Sequence, residues 1–432
     1  MKKFVPALLF LIFALAIPMG VFAQQEDDQV SPDAISNAHS MHPTTAPRGH
    51  LNGQDHARFG LPGIDSVANW NKHFTVEGID PNGNPQHIWY YSMVGNPPEL
   101  GGTTVFDAPI VPVSLDLRTA NGSPRFVNGK PLISDVTPFV LPTLNSPVFQ
   151  SSNFTSSDTP TQYTDAIQRA EFADRMRPNW HTLLAPSVKS TRVMQIDQDP
   201  SCGQPKGHCN YRFSLNADGS CCFFVLVDIN TFVNELFPST FPFDNSTAIG
   251  SAENAGDMTT KDISTFLFPN TYLYFGDTTH CCVLGFHSLD LEPGIPSNGN
   301  LPRLYVVNYS SWISPGIFRG GLSDVTALSH EMSETFNDPF VGVDGIHNVT
   351  PFWLSPNGNC QDNLEVGDVI EGLPSQLFPI ALNGMTYHVQ NEALLQWFEF
   401  ESPSSALDGA YSYPNTGTLT ALSPPQNFAC KP

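Results

Sequence analysis

The chain has 432 residues, enough for one large or two medium domains that each bury a core. Its 41 Asp and Glu against 19 Lys and Arg give a formal charge of -22, which argues against nucleic acid and anionic membrane surfaces as partners. Only 14% of residues are charged, whereas Pro (39), Gly (32) and Phe (31) are abundant, so a turn-rich β fold with aromatic packing is favoured over a helical bundle.

The opening "MKKFVPALLFLIFALAIPMGVFAQQ" sets two lysines before an apolar run that gives way to polar residues after Ala23. This predicts a secretory signal peptide over residues 1–23, too short and wrongly flanked for a membrane anchor. No later stretch approaches the roughly 20 apolar residues of a spanning helix, so a soluble, secreted or periplasmic protein is expected, with no membrane partner after cleavage. Residues 24–62 are polar, rich in Ser, His, Pro and Gly, and without periodicity, which reads as a disordered linker. Its His39, His42 and His50 are isolated and are not expected to act as ligands.

Residues 63–150 are expected to be β-rich. "HFTVEGIDPNGNPQHIWYYSMVG" is two alternating runs around Asp80-Pro81-Asn82-Gly83, a hairpin signal. "APIVPVSLDL" and "RFVNGKPLI" continue the pattern, the second with a tight turn at Asn128-Gly129. The glycine spacing before Lys130 is wrong for a phosphate loop, and no Ser or Thr follows it.

Residues 151–432 are expected to form the second unit. "TDAIQRAEFADRMRPNW" predicts a helix from about Thr164 that Pro178 stops, with Arg169 and Arg175 as solvent or ion-pair residues. Strands follow in "RFSLNA", "CCFFVLVDI", "NTYLYFG", "CCVLGFHSLDL" and "RLYVVNYSSW", and the glycine-rich "SPGIFRGGLS" leads into a second helix. "YHVQNEALLQWFEF" reads as a strand, or a strand and a short helix, before a tail held by Cys430. The class is therefore α+β.

Eight cysteines in an exported chain point to disulfides. Cys202 is expected to pair with Cys209, and Cys360 with Cys430. Neighbours in a strand face opposite ways, so Cys221-Cys222 and Cys281-Cys282 are expected to bridge to each other's segments rather than within each pair. "CGQPKGHC" also contains His208 and admits a metal, but an oxidising compartment favours the disulfide. An even cysteine count speaks against a Cys nucleophile, and neither a G-x-S-x-G elbow nor a dinucleotide glycine pattern is present. Paired carboxylates of a glycosidase stay open, because spacing in sequence does not set separation in space.

The chemistry concentrates in "LSHEMSETFNDPF", residues 328–340. Ser323 is placed to cap a helix running through Asp324 to about Phe336, with Pro339 just past its end. At about 100° per residue from His330, Glu334 falls near 40°, Asp338 near 80° and Glu331 near 100°. Val325, Leu328, Met332 and Phe336 fall between roughly 160° and 240°, on the opposite face. One turn apart, His330 and Glu334 can share a metal ion, while Glu331 on the flank is suited to take a proton from metal-bound water. A third ligand is needed, and "CQDNLEVGDVIEG" offers Glu365 and Asp368, with Asp362 just before them. The alternative is an ordinary amphipathic surface helix with solvated carboxylates.

His330, Glu331 and Glu334, with Asp338-Pro339 after them, resemble the H-E-x-x-H helix of zincin metallopeptidases. They are more closely similar to the H-E-x-x-E followed by Asp-Pro of secreted phosphate-induced, exordium-like proteins, in which a downstream Glu-x-x-Asp, here Glu365 and Asp368, also recurs. The likeness spans about residues 270–372. It implies a zincin-like part with a mixed sheet and a central active-site helix, a zinc ion on His330, Glu334 and Glu365, and a peptide or protein substrate. Glu331 would be the catalytic base, with Asp338, Asp368 and His287 as supporting or alternative ligands. "CCVLGFHSLDL" and "RLYVVNYSSW" would lie beside the helix, the edge strand lining the cleft. A Glu in place of the second His makes the ligand set more anionic and favours a harder ion such as Ca2+ or Mn2+. Exordium-like relatives act in cell-wall and extracellular signalling, so a non-catalytic extracellular binding protein with a structural metal is the competing expectation.

Overall fold

The computed structural model describes residues 49–50, 58–77, 86–154, 159–215, 223–238, 245–318, 320–341, 353–361 and 364–422. The expected signal peptide, most of the linker, the turn at residues 78–85, Cys221, Cys222, Asp362 and Cys430 lie outside these residues.

The fold is α+β, with a mixed sheet at its centre and helices on both faces. A hairpin of β1 (Asn69–Glu77) and β2 (Gln86–Val94) comes first, in the two runs whose alternation predicts it. The 16-residue β3 (Thr103–Arg118) is buried without a break from Ala108 to Leu115, the stretch that carries most of its Val, Ile and Leu. After it, residues 126–127 and 130–131 pair around Asn128 and Gly129, both at positive φ (51° and 75°), the tight turn that Asn-Gly specifies. Helices α1 (Thr137–Leu144) and α2 (Tyr163–Glu171) then lead to β4 (His181–Val188) and β5 (Arg192–Asp197). Arg175, beyond α2, lies 3.9 Å from Glu99 and over the Phe172 ring, an ion-pair role as expected.

The first half of β3 pairs in parallel with β4 and the second half with β5. Its middle pairs with β8 (Ile263–Pro269), which pairs with β12 (Arg303–Trp312); β11 (Gly285–Glu292) runs antiparallel to β12 at the edge. A strand of residues 63–150 and strands from residues 181–312 therefore share one sheet. A smaller sheet holds β6 (Tyr211–Ser214), β7 (Phe224–Asp228), β9 (Thr271–Phe275) and β10 (Asp277–Val283), and α3 (Ile229–Leu236) and α4 (Ala248–Ala255) accompany it.

Alternation along the strands divides the core in two. Ile110, Leu267, Leu289 and Val306 face α5 (Thr326–Asn337), where Val325, Leu328, Met332 and Phe336 of the apolar wheel face meet them. Val113, Phe266, Phe286 and Val307 face α3 and α4 instead. On β11, a period of two thus sends His287 to the α5 side and Asp290 to the other.

Two expectations are corrected. Ser323 does not cap the helix: Asp324, at φ 48°, takes the N–H groups of Val325 and His388 on one oxygen, both at 2.8 Å, and the His388 ring on the other. A cap that ties α5 to β14 (Met385–Gln390), which pairs with β13 (Leu377–Leu382), outcompetes one that serves the helix alone. Cys202 and Cys209 are bonded as expected, but Cys281 is bonded to Cys282. The opposite-face argument assumes a regular ladder, whereas the register of β9 and β10 shifts here, Leu273 opposing Val283 and Tyr274 opposing Cys281. No helix among the described residues is long and apolar enough to cross a membrane.

Candidate metal centre

Helix α5 is buried on nearly all sides rather than lying on the surface: eleven of its twelve residues are buried, Glu331 and Glu334 among them. Ser and Thr at the remaining positions make this possible. Ser333 returns its hydroxyl to the Ser329 carbonyl, Thr335 bonds Asn308 of β12 at 2.6 Å, and the Ser329 hydroxyl accepts the N–H of Gln390. Fixed between β12 and β14, the helix holds its imidazole and carboxylates in one orientation.

His330 Nε2 lies 3.2 Å from Glu334 Oε1, 3.5 Å from Asp368 Oδ1 and 3.9 Å from Glu331 Oε1. The other oxygen of Glu334 is 3.6 Å from His287 Nδ1, and His287 Nε2 is 3.7 Å from Glu365 Oε2. The ligand atoms of His330, Glu331 and Glu334 all lie within 4.8 Å of one another, as do those of His287, Glu334 and Glu365. Glu365, expected beside His330, thus reaches Glu334 by way of His287, and Asp368 is the downstream acid beside His330. Asp338 is buried as the C-cap of α5 and belongs to neither group.

Three features missed in the sequence shape the site. Gln390 donates its amide N–H to the Gly367 carbonyl at 2.6 Å, which turns its oxygen to His330 Nδ1 at 3.1 Å. Nδ1 must then be the donor, leaving Nε2 toward the carboxylates, the tautomer a metal ligand needs. The N–H groups of Gly367 and Asp368 reach Glu334 Oε1 at 3.1 and 3.3 Å. Two glycines make room: a Cβ on Gly367 would stand 2.6 Å from His330 Nδ1, and one on Gly285 would stand 2.6 Å from Glu331 Oε1. Only the spacing Leu-Glu-Val-Gly-Asp hinted at a close approach, and Gln390 carried no signal at all.

The charge balance fits a cation. Burial pulls His330 toward the neutral form, but Glu334, Glu331 and Asp368 overcome it and hold its pKa well above the usual value. Burial raises Glu331 and Asp368 well above the carboxylate range, Glu334 adding to both, and also raises Glu371. Glu334 is pulled down against burial by His330 and His287, while burial lowers His287 to about 4. The charged neighbours acting on Glu331, Glu334, Asp368 and Glu371 are imidazoles and other carboxylates. A dication among them reverses this logic, because it stabilises the ionised acids and binds neutral imidazole. The buried, unbonded Nδ1 of His287 and the cradling glycines fit such an ion.

A third acidic group lies across the sheet, where Glu253 of α4 meets Asp290 and Glu292 of β11. Arg303 stands 3.8 Å from Glu292 and supplies a cation there. Burial, with Asp290 and Glu292 adding, raises Glu253 to about 9, and burial with Glu292 raises Asp290 to about 7. Raised folded pKa values mean that stability is fully present below the ordinary carboxylate range and is lost as pH climbs through about 7 and then about 9. Thermal melts should therefore show Tm falling over this window, and Glu253→Gln should flatten the fall. A variant that tracks the wild type across these pH values would contradict the assignment.

No family model, curated protein or solved structure matches the chain.

Proposed function

We propose that the chain is an exported metal-dependent hydrolase that cleaves peptide bonds, as its likeness to the zincins implies. The observation that carries this reading is the convergence of His330 and Glu334 from α5 with Asp368 from a loop more than 30 residues on, with Glu331 to one side. Such a convergence of buried charge costs stability unless something repays it.

In this reading His330, Glu334 and Asp368 would hold the ion, with zinc as the expected metal and Ca2+ or Mn2+ as the alternative suited to a carboxylate-rich set. An ion held there would supply a Lewis acid and would lower the pKa of a water molecule. Glu331 receives the proton of the attacking water on a carboxylate that the backbone N–H of His287 orients, and returns it to the leaving amine. Beside it, β11 pairs on one side only among the described residues, and an extended peptide can add to the other edge. The predicted leader and the Cys202–Cys209 disulfide support export.

Metal analysis of the purified protein should find a divalent ion, and a peptide library should be cleaved in a way that chelation stops and metal restores. Protein that holds no ion and is indifferent to chelators would end this reading. A second reading, a non-catalytic extracellular binding module with a structural cation, is favoured by the low exposure of the ligands, 13% for the side chains of His330 and Asp368. It expects chelation to lower Tm while no peptide is cut.

A further inference from the structure

We infer that the centre takes two divalent ions bridged by Glu334, the second held by His287, Glu334 and Glu365. This builds on the metal-dependent reading above and adds residues to it. Glu334 divides its carboxylate between two imidazoles, Oε1 toward His330 and Oε2 toward His287. The two imidazoles come from different elements, α5 and the edge strand β11. Bond lengths of about 2.1 Å in a tetrahedral site put neighbouring ligand atoms about 3.4 Å apart. The separations here, 3.2 Å at His330 and 3.6 and 3.7 Å at His287, bracket that spacing.

The last two distances are too long for hydrogen bonds. His287 Nδ1 is buried without a hydrogen-bond partner, in a side chain only 4% exposed, and Glu334 Oε2 lies 3.6 Å from it, a separation that an ion between the two fills. Protein groups rarely leave such an atom unsatisfied, and an ion between the two satisfies both. Charge points the same way. Glu331, Glu334, Glu365 and Asp368, with Glu371 near them, outnumber the two imidazoles, so one dication leaves negative charge buried that a second offsets. A shared carboxylate is also the kind of bridge that holds a pair of ions about 3.5–4 Å apart.

The test is the full mature protein equilibrated with Mn2+, read by elemental analysis and by electron paramagnetic resonance. Two equivalents and an exchange-coupled spectrum are expected in the wild type. His287→Ala and Glu365→Gln should each leave one equivalent and an uncoupled spectrum, with folding checked by circular dichroism. A wild type that binds one equivalent, with no coupling, overturns the second site while leaving the hydrolase reading in place. No bound ion at all overturns both. Should the variants fail to fold, the wild-type stoichiometry and coupling decide the matter alone.

Discussion

Glu331→Gln is expected to lower turnover by about 10²–10⁴-fold, the range for losing a general acid–base group, with metal content unchanged. Gln keeps the size of the side chain and can still meet the backbone N–H of His287, so geometry is preserved while the proton acceptor is lost. Stability should not fall, because burial already disfavours the ionised form of Glu331, and neutral Gln carries no such cost. The measurements are steady-state kinetics on a cleaved peptide, elemental analysis and a thermal melt. Full activity in a metal-loaded variant would remove Glu331 from the chemistry.

Gly367→Ala should weaken metal binding by about 10–100-fold, comparable to losing a group that orients a ligand, and destabilise the fold by about 1–3 kcal/mol through overpacking. The added methyl would stand 2.6, 2.7 and 2.8 Å from His330 Nδ1, Cγ and Cε1, and a planar ring cannot bend away as a flexible chain end can. His330 must swing, breaking its bond to Gln390 and withdrawing Nε2 from Glu334. Gly285→Ala offers the contrast. Its methyl meets Glu331 rather than a proposed ligand, 2.6 Å from Oε1, 2.7 Å from Cγ and 3.0 Å from Cδ, so turnover should fall while the ion stays. Competition with a chelating dye measures affinity, and peptide cleavage measures turnover. The opposite pattern, with Gly285→Ala losing metal and Gly367→Ala keeping it, would refute these roles.

Much of the fold was legible because local chemistry and tertiary structure agreed. The Asn128-Gly129 turn needed positive φ and a pair of flanking strands, and both are present. The strands of "RLYVVNYSSW" and "GFHSLDL" are neighbours, with the second at the edge. The stretches "ISTFLFP" and "AIGSAENA" escaped because a buried parallel strand has no alternation to show, and a short helix of small residues has little amphipathic contrast. Cys281 and Cys282 escaped because alternation presumes a regular ladder, and the register shifts at these residues.

The sequence alone determined that α5 has an apolar back and a His-Glu-Glu front, since a period of 3.6 depends only on residue order. It also singled out the short list of acids that meets that front, Glu365 and Asp368. Which acid serves which imidazole was decided by the tertiary structure, because side-chain direction depends on where the loop carrying Gly367 packs against the helix. The same packing brought in Gln390 to fix the His330 tautomer, and turned His287 from a strand residue into the second imidazole facing Glu334. Sequence spacing carries no information about contacts between elements 23 to 60 residues apart, such as Gln390 with Gly367 and with His330, and those contacts shape this centre.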